Sequence, residues 1–157
     1  MARQHPGSNF LGIERQPARV ARCLAKIERL GLPNAHAVVG EGTPCLRTYF
    51  PDACVAVLHV SFPDPWPKRR HAPRRLVDAA FLGEARRILR PGGSLRLMTD
   101  DAPYFAAMCG LTASAWRVTD WDDGRDPVRT SFEKRFLELG TAPFRRALLP
   151  AGKNRPL

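Results

Sequence analysis

Long apolar runs are missing from this chain of 157 residues. The longest, around Cys54–Phe62, is interrupted by His59, whereas a membrane-spanning helix needs about 20 apolar residues. Met1-Ala2-Arg3-Gln4-His5-Pro6-Gly7 holds no apolar core of a secretory signal. The four cysteines (Cys23, Cys45, Cys54, Cys109) form no CxxC pair, and no Cys/His cluster has zinc-finger spacing. They read as reduced thiols in a cytoplasmic protein, with no metal assigned. There is no internal repeat and no GxGxG, the glycine fingerprint a nicotinamide-dependent dehydrogenase would carry. Glycine and proline, at 12 and 15 residues, stay below the roughly 25–30% share that marks a low-complexity chain.

Positive charge, by contrast, is plentiful. There are 25 Lys+Arg against 15 Asp+Glu, for a formal net charge of +10. The cations cluster: Lys68, Arg69, Arg70, Arg74, Arg75, Arg86, Arg87 and Arg90 are opposed only by Asp78 and Glu84. Such an excess concentrates polyanions near the surface, and phosphate backbones are the usual partner. Clustering favours nucleic acid over a merely solvated surface. The length fits one domain over residues 1–157. A chain this size buries roughly 68–70% of its unfolded surface without staples.

The apolar pattern alternates between strands and helices. Asn9–Ile13 reads as a strand. Pro17 suits a first helical turn, and Val20, Cys23, Leu24, Ile27 and Leu30 follow at helical spacing up to Gly31. Asn34–Val39 is a second strand, and Cys54–Ser61, apolar nearly throughout, a third buried on both faces. Leu76, Val77, Ala80, Phe81, Ile88 and Leu89 mark a helix that Pro91-Gly92-Gly93 ends. Ser94–Thr99 is a fourth strand and Ala102–Leu111 a helix, with weaker strands at Trp116–Thr119 and Arg145–Leu149. This rhythm predicts an α/β fold with a mostly parallel sheet. Ligands bind such sheets at the carboxyl ends of the strands.

Four acids stand at those ends. Glu14 closes the first strand, where a carboxylate can accept from the two hydroxyls of a ribose or serve the dipole of the helix after Pro17. Glu41, in Gly40-Glu41-Gly42, either meets a flat ligand such as adenine or lies in an ordinary turn. Asp64 lies in Phe62-Pro63-Asp64-Pro65-Trp66-Pro67-Lys68. Its three alternating prolines are expected to hold an extended, rigid backbone and to present Asp64, Trp66 and Lys68 preorganised. Asp100 ends the fourth strand or caps the helix after it. Thr130-Ser131-Phe132-Glu133 has capping-box spacing.

The proline-rich segment, with Arg70-His71 and Arg74-Arg75-Leu76-Val77, resembles the signature of the bacterial tRNA (guanine-N7-)-methyltransferases of the TrmB type. Asn9–Glu14, Leu89–Gly93, Thr99-Asp100 and Thr130–Glu133 occur in the matching order. The resemblance implies a Rossmann-like class I methyltransferase fold, S-adenosylmethionine as methyl donor, and a guanine in the variable loop of tRNA as substrate. By position it implies that Glu14 holds the cofactor ribose and that Glu41 stands near the adenine. Asp64 would be the active-site acid, also close to the cofactor. Lys68, Asp100, Thr130, Ser131, Phe132 and Glu133 would contact the tRNA. The family opens with a strand and glycine-rich turn that Met1–Ser8 is too short to supply. The expectation is therefore a domain incomplete at its N-terminus, lacking the first strand. The alternative reading is a catalytically inactive, RNA-binding fragment of the same family.

Overall fold

The computed structural model describes residues 1–119, 121, 136 and 138–151. Two compact units divide the chain, Met1–Tyr49 and Phe50–Leu157.

In the first unit, strands β1 (Phe10–Glu14) and β2 (Ala35–Val39) pair in parallel, from Phe10 opposite Ala35 to Glu14 opposite Val39. Helix α1 (Pro17–Arg29) connects them, with Pro17 in its first turn as expected. It closes in a Schellman motif: the Gly31 and Leu32 N–H groups donate to the carbonyls of Glu28 and Ile27. Before β1 lies a short 3-10 turn, Ala2–Gln4. The Asn34 amide, just ahead of β2, lies within 3.1 Å of the carbonyls of Ala2, His5 and Ser8 and ties that leading segment down. Helix α2 (Gly42–Tyr49) follows β2. α2 is not signalled by the apolar pattern, because Gly-Glu-Gly-Thr-Pro reads as a turn. Gly40 belongs to this junction, since a Cβ there would run into Cys45 Sγ. That close approach is a packing reason for a glycine beside Glu41.

The second unit holds a four-stranded sheet in the order β3-β4-β6-β5. Its strands are β3 (Val55–Ser61), β4 (Leu89–Thr99), β5 (Trp116–Thr119) and β6 (Phe144–Pro150). β3 and β4 run parallel, but β6 is antiparallel to both β4 and β5. The sheet is therefore mixed, with β6 as the one strand that opposes the other three. The core sets Phe81, Leu82, Ala85 and Ile88 of helix α3 (Ala79–Ile88), and Tyr104, Met108 and Thr112 of α4 (Ala102–Thr112), against this sheet. Leu95, Leu97 and Leu148 are almost completely buried on its side of the core.

Two expected boundaries shift, each for a local reason. Leu76 and Val77 precede α3, because Asp78 caps it by accepting from the Phe81 N–H at 2.7 Å. Val77 is buried all the same, and its N–H donates to the Tyr104 hydroxyl at 3.1 Å. Pro91-Gly92-Gly93 does not end α3, which stops at Ile88. It lies inside β4, where the register jumps from Val55 opposite Leu89 to Val57 opposite Ser94. A Cβ on Gly93 would stand 2.9–3.0 Å from the carbonyls of Arg90, Ala56 and Val55, so this excursion requires glycine. Among the described residues no helix is long and apolar enough to cross a membrane.

Candidate active site

Within the first unit, Glu14 and Glu41 both sit at the carboxyl end of the parallel pair. Glu14 is the last residue of β1. Its carbonyl accepts from the Gly40 N–H at 3.0 Å, which draws the turn carrying Glu41 to the same edge. Glu14 Oε1 accepts from the Gln16 N–H at 2.9 Å and Oε2 from Arg19 Nη1 at 3.4 Å. Partial burial pushes this carboxyl up. The Gln16 N–H, the Arg19 guanidinium and the Arg15 N–H outweigh that push and hold it below the ordinary carboxylate range. Each oxygen keeps room for a further donor, because a carboxylate offers about four acceptor sites. Glu41 is exposed, and its carbonyl accepts from the Cys45 N–H at 3.0 Å at the start of α2.

The second unit likewise brings Asp64 and Asp100 to one edge, at the carboxyl ends of parallel β3 and β4. Pairing continues one step past β3, with the Phe62 N–H donating to the Met98 carbonyl at 2.8 Å. Both carboxylates are exposed. Asp64 is therefore not walled in by packing. The backbone around it corrects the expectation of a uniformly extended loop. Phe62 and Trp66, two residues to either side of Asp64, take left-handed conformations with φ of 52° and 44°. Such conformations cost a non-glycine residue about 1–3 kcal/mol each and gather at functional sites. Phe62 stacks on Phe136 with ring centroids 5.6 Å apart. The indole of Trp66 meets the His71 ring edge-on at 5.7 Å and carries the Arg74 guanidinium at 5.1 Å. Trp66 thus braces the loop against the 3-10 helix Arg69–Arg74 that follows.

At the end of β4 the two readings of the Asp100-Asp101 pair separate. Asp101 is the cap of α4, accepting from the Tyr104 N–H at 2.7 Å, while its own N–H donates to Thr99 Oγ1 at 3.2 Å. Asp100 is left exposed at the strand end, out of the capping role.

The basic run also divides. Lys68, Arg69, Arg70, Arg74 and Arg90 are exposed. Arg86 donates to the carbonyls of Ala115 and Ala151, and Arg87 to Phe50, Asp52 and Glu84. Hydrogen bonds from Arg87 to Asp52 and Glu84 raise its already high pKa. Arg75 is half-buried. Its Nε donates to the Pro65 carbonyl at 2.8 Å, and its guanidinium lies 4.8 Å from the centre of the Tyr104 ring. In the sequence Arg75, Arg86 and Arg87 belong to the run that points to nucleic acid, because composition carries no side-chain direction. Thr130, Ser131, Phe132 and Glu133 lie outside the described residues. Among the described residues, no three His, Cys, Asp or Glu side chains converge as metal ligands would.

The family model that matches, "Methyltransf_4: Putative methyltransferase", covers residues 1–145. The tRNA (guanine-N(7)-)-methyltransferase of Latilactobacillus sakei is 35% identical over 153 residues, which is 92% of this chain and 71% of that protein. The protein of the same name from Levilactobacillus brevis is 35% identical over 148 residues, covering 89% of this chain and 68% of that one. Among solved structures, a SAM-dependent O-methyltransferase from Thermotoga maritima superposes with a TM-score of 0.60 at 11% identity, over 94% of this chain and 52% of that chain. At that identity the likeness speaks for the fold alone, which is Rossmann-like. A family match across nearly the whole length, joined by relatives sharing about a third of their residues, leads to one conclusion: this chain belongs to the methyltransferase family that includes the tRNA (guanine-N7-)-methyltransferases.

Proposed function

We propose that the chain transfers a methyl group from S-adenosylmethionine to N7 of a guanine in the variable loop of tRNA, in the cytoplasm. The observation that carries this reading is Asp64. It is an exposed carboxylate at the carboxyl end of a parallel strand, held between two strained residues and followed at once by exposed Lys68, Arg69, Arg70 and Arg74. The family match runs through both units, which supports treating residues 1–157 as one methyltransferase domain.

The residues present fit the cofactor. Glu14 offers carboxylate oxygens at a strand end with acceptor capacity left for a ribose diol. We assign it the ribose and exposed Glu41 the adenine, with Asp64 also contacting the cofactor. When bound, S-adenosylmethionine supplies an electrophilic methyl group on a sulfonium sulfur.

Guanine N7 carries a lone pair and no proton, so the attack needs no general base. What the protein must do is hold the purine in line, which is positional catalysis. Asp64, with Asp100 at the same edge of that unit, accepts from the N1–H and amino edge of the base. Methylation makes the purine cationic, so a carboxylate on that edge binds it more tightly as the reaction proceeds. That gain favours the transition state over the ground state. The same edge selects guanine, because adenine and the pyrimidines present different donors. Lys68, Arg69, Arg70 and Arg74, all exposed, hold phosphates and set register without reading sequence. Thr130, Ser131, Phe132 and Glu133 complete the proposed tRNA contacts.

Asp64→Asn tests the assignment. Methyl incorporation should fall by about 10²–10³-fold, while tRNA retention in filter binding stays within about twofold of wild type. Equal losses in both assays would remove Asp64 from the catalytic role.

A further inference from the structure

We propose that Arg75 is a positioning residue for the Asp64 loop and not one of the phosphate contacts. This rests on the reading of Asp64 as the active-site acid.

The loop has few handles by which it can be held. Pro63, Pro65 and Pro67 have no N–H, so the loop has few backbone donors, and the Pro65 carbonyl is one of the acceptors by which it can be held. Arg75 takes that group, with its Nε–H donating at 2.8 Å in a partly buried setting. The bond fixes the plane of the Pro65–Trp66 peptide. That same peptide sets φ of Trp66 at 44°. A left-handed tryptophan before a proline is a conformation the chain would leave if it were released. Arg75 therefore holds the strain that sets where Asp64, Trp66 and Lys68 stand.

Arg75 is itself held. Its guanidinium lies 4.8 Å from the centre of the Tyr104 ring, and Tyr104 is completely buried. The phenol accepts the Val77 N–H at 3.1 Å, and the Tyr104 backbone N–H is capped by Asp101 at 2.7 Å. Asp101 in turn is anchored to Thr99 Oγ1. One chain of contacts thus runs from the turn carrying Asp100, through Tyr104 and Arg75, to the loop carrying Asp64. Burial, chiefly, raises the Tyr104 phenol above its ordinary value, and the Val77 N–H and the Arg75 charge offset part of that rise. The neighbouring Arg74 makes the contrast plain: it is exposed and lies over Trp66. Two adjacent arginines point to two tasks.

The experiment compares wild type with Arg75→Met, which keeps an unbranched side chain over Tyr104 but removes the donor and the charge. Two readouts are taken. In the first, amide hydrogen exchange at Phe62 and His71, the hydrogen-bonded amides that flank the loop, should speed up by about tenfold or more, with exchange across α3 unchanged. In the second, kcat for methyl transfer to tRNA should fall by about 10²-fold, the scale of an ångström of misplacement. The tRNA KM and its salt dependence should stay near wild type. A phosphate contact would give the reverse: unchanged exchange, a raised KM, and a salt slope shallower by about 0.7–0.9. That result overturns the proposal. If Arg75→Met does not fold, Arg75→Lys decides. It keeps the charge but not the planar fork, so positioning predicts the loss in kcat and phosphate binding predicts near-normal activity. If wild type itself methylates no tRNA, the functional reading fails. The exchange readout still judges the positioning role by itself.

Discussion

Buried apolar side chains are shared unevenly between the two units. Among the described residues, Val20, Ala35 and Leu46 are the buried apolar residues of Met1–Tyr49, whereas Phe50–Leu157 holds fifteen, including Phe81, Ile88, Leu95, Leu97 and Tyr104. The first unit also leaves Leu11, Val39 and Tyr49 at 49%, 54% and 76% exposure. Among the described residues the first unit is the more thinly packed of the two. Hydrogen bonds at helix ends and the Asn34 clasp do much of its holding. The difference matters for chemistry. Glu14 is oriented by ordinary local partners in a backbone without strain. Asp64 lies between two left-handed aromatic residues, and such strain persists only where the surroundings over-determine it. The densely packed unit is the one able to hold it.

The largest effect expected from this contrast is on stability. Phe81→Ala, at a side chain 2% exposed, should cost about 3–5 kcal/mol. Leu24→Ala, at 44% exposed, should cost under about 0.5 kcal/mol. Denaturant unfolding of both variants measures the gap, and equal losses would break the comparison. Smaller, and sharper, is the division of binding. Glu14→Gln should weaken S-adenosylmethionine binding about tenfold in calorimetry, as loss of a charged hydrogen bond would, and leave tRNA affinity alone. Lys68→Ala should do the converse and reduce the salt slope of tRNA binding by about 0.7–0.9. Glu14 also has a pH signature. Its carboxyl is lowered in the folded state, so its contribution to stability is present above the unfolded carboxylate pKa and fades as the solution is acidified through the folded one. Glu14→Gln should remove that part of the acid dependence.

Much of this was legible in the sequence. The strands at Phe10–Glu14, Ala35–Val39 and Val55–Ser61 lie within a residue of the apolar runs that signal them. The strand-end acids follow from those runs and from the way α/β sheets present ligands. Other features were not legible, for physical reasons. Helix α2 is eight residues long and opens on a turn-like string, so no periodicity develops. Pro91-Gly92-Gly93 reads as a stop, yet the backbone there loops out of register and rejoins the same strand. The sense of β6 depends on tertiary pairing. The left-handed turns at Phe62 and Trp66 run against what proline neighbours usually impose. Of the carboxylates at Asp100 and Asp101, only geometry shows which one is spent on capping.

The central claim is tested most directly by incubating the chain with methyl-labelled S-adenosylmethionine and unmodified tRNA, then digesting the RNA to locate the label. The account predicts label as 7-methylguanosine in the variable loop, dependent on Asp64. Retention of tRNA with no label transferred, or label on any other atom, would contradict it.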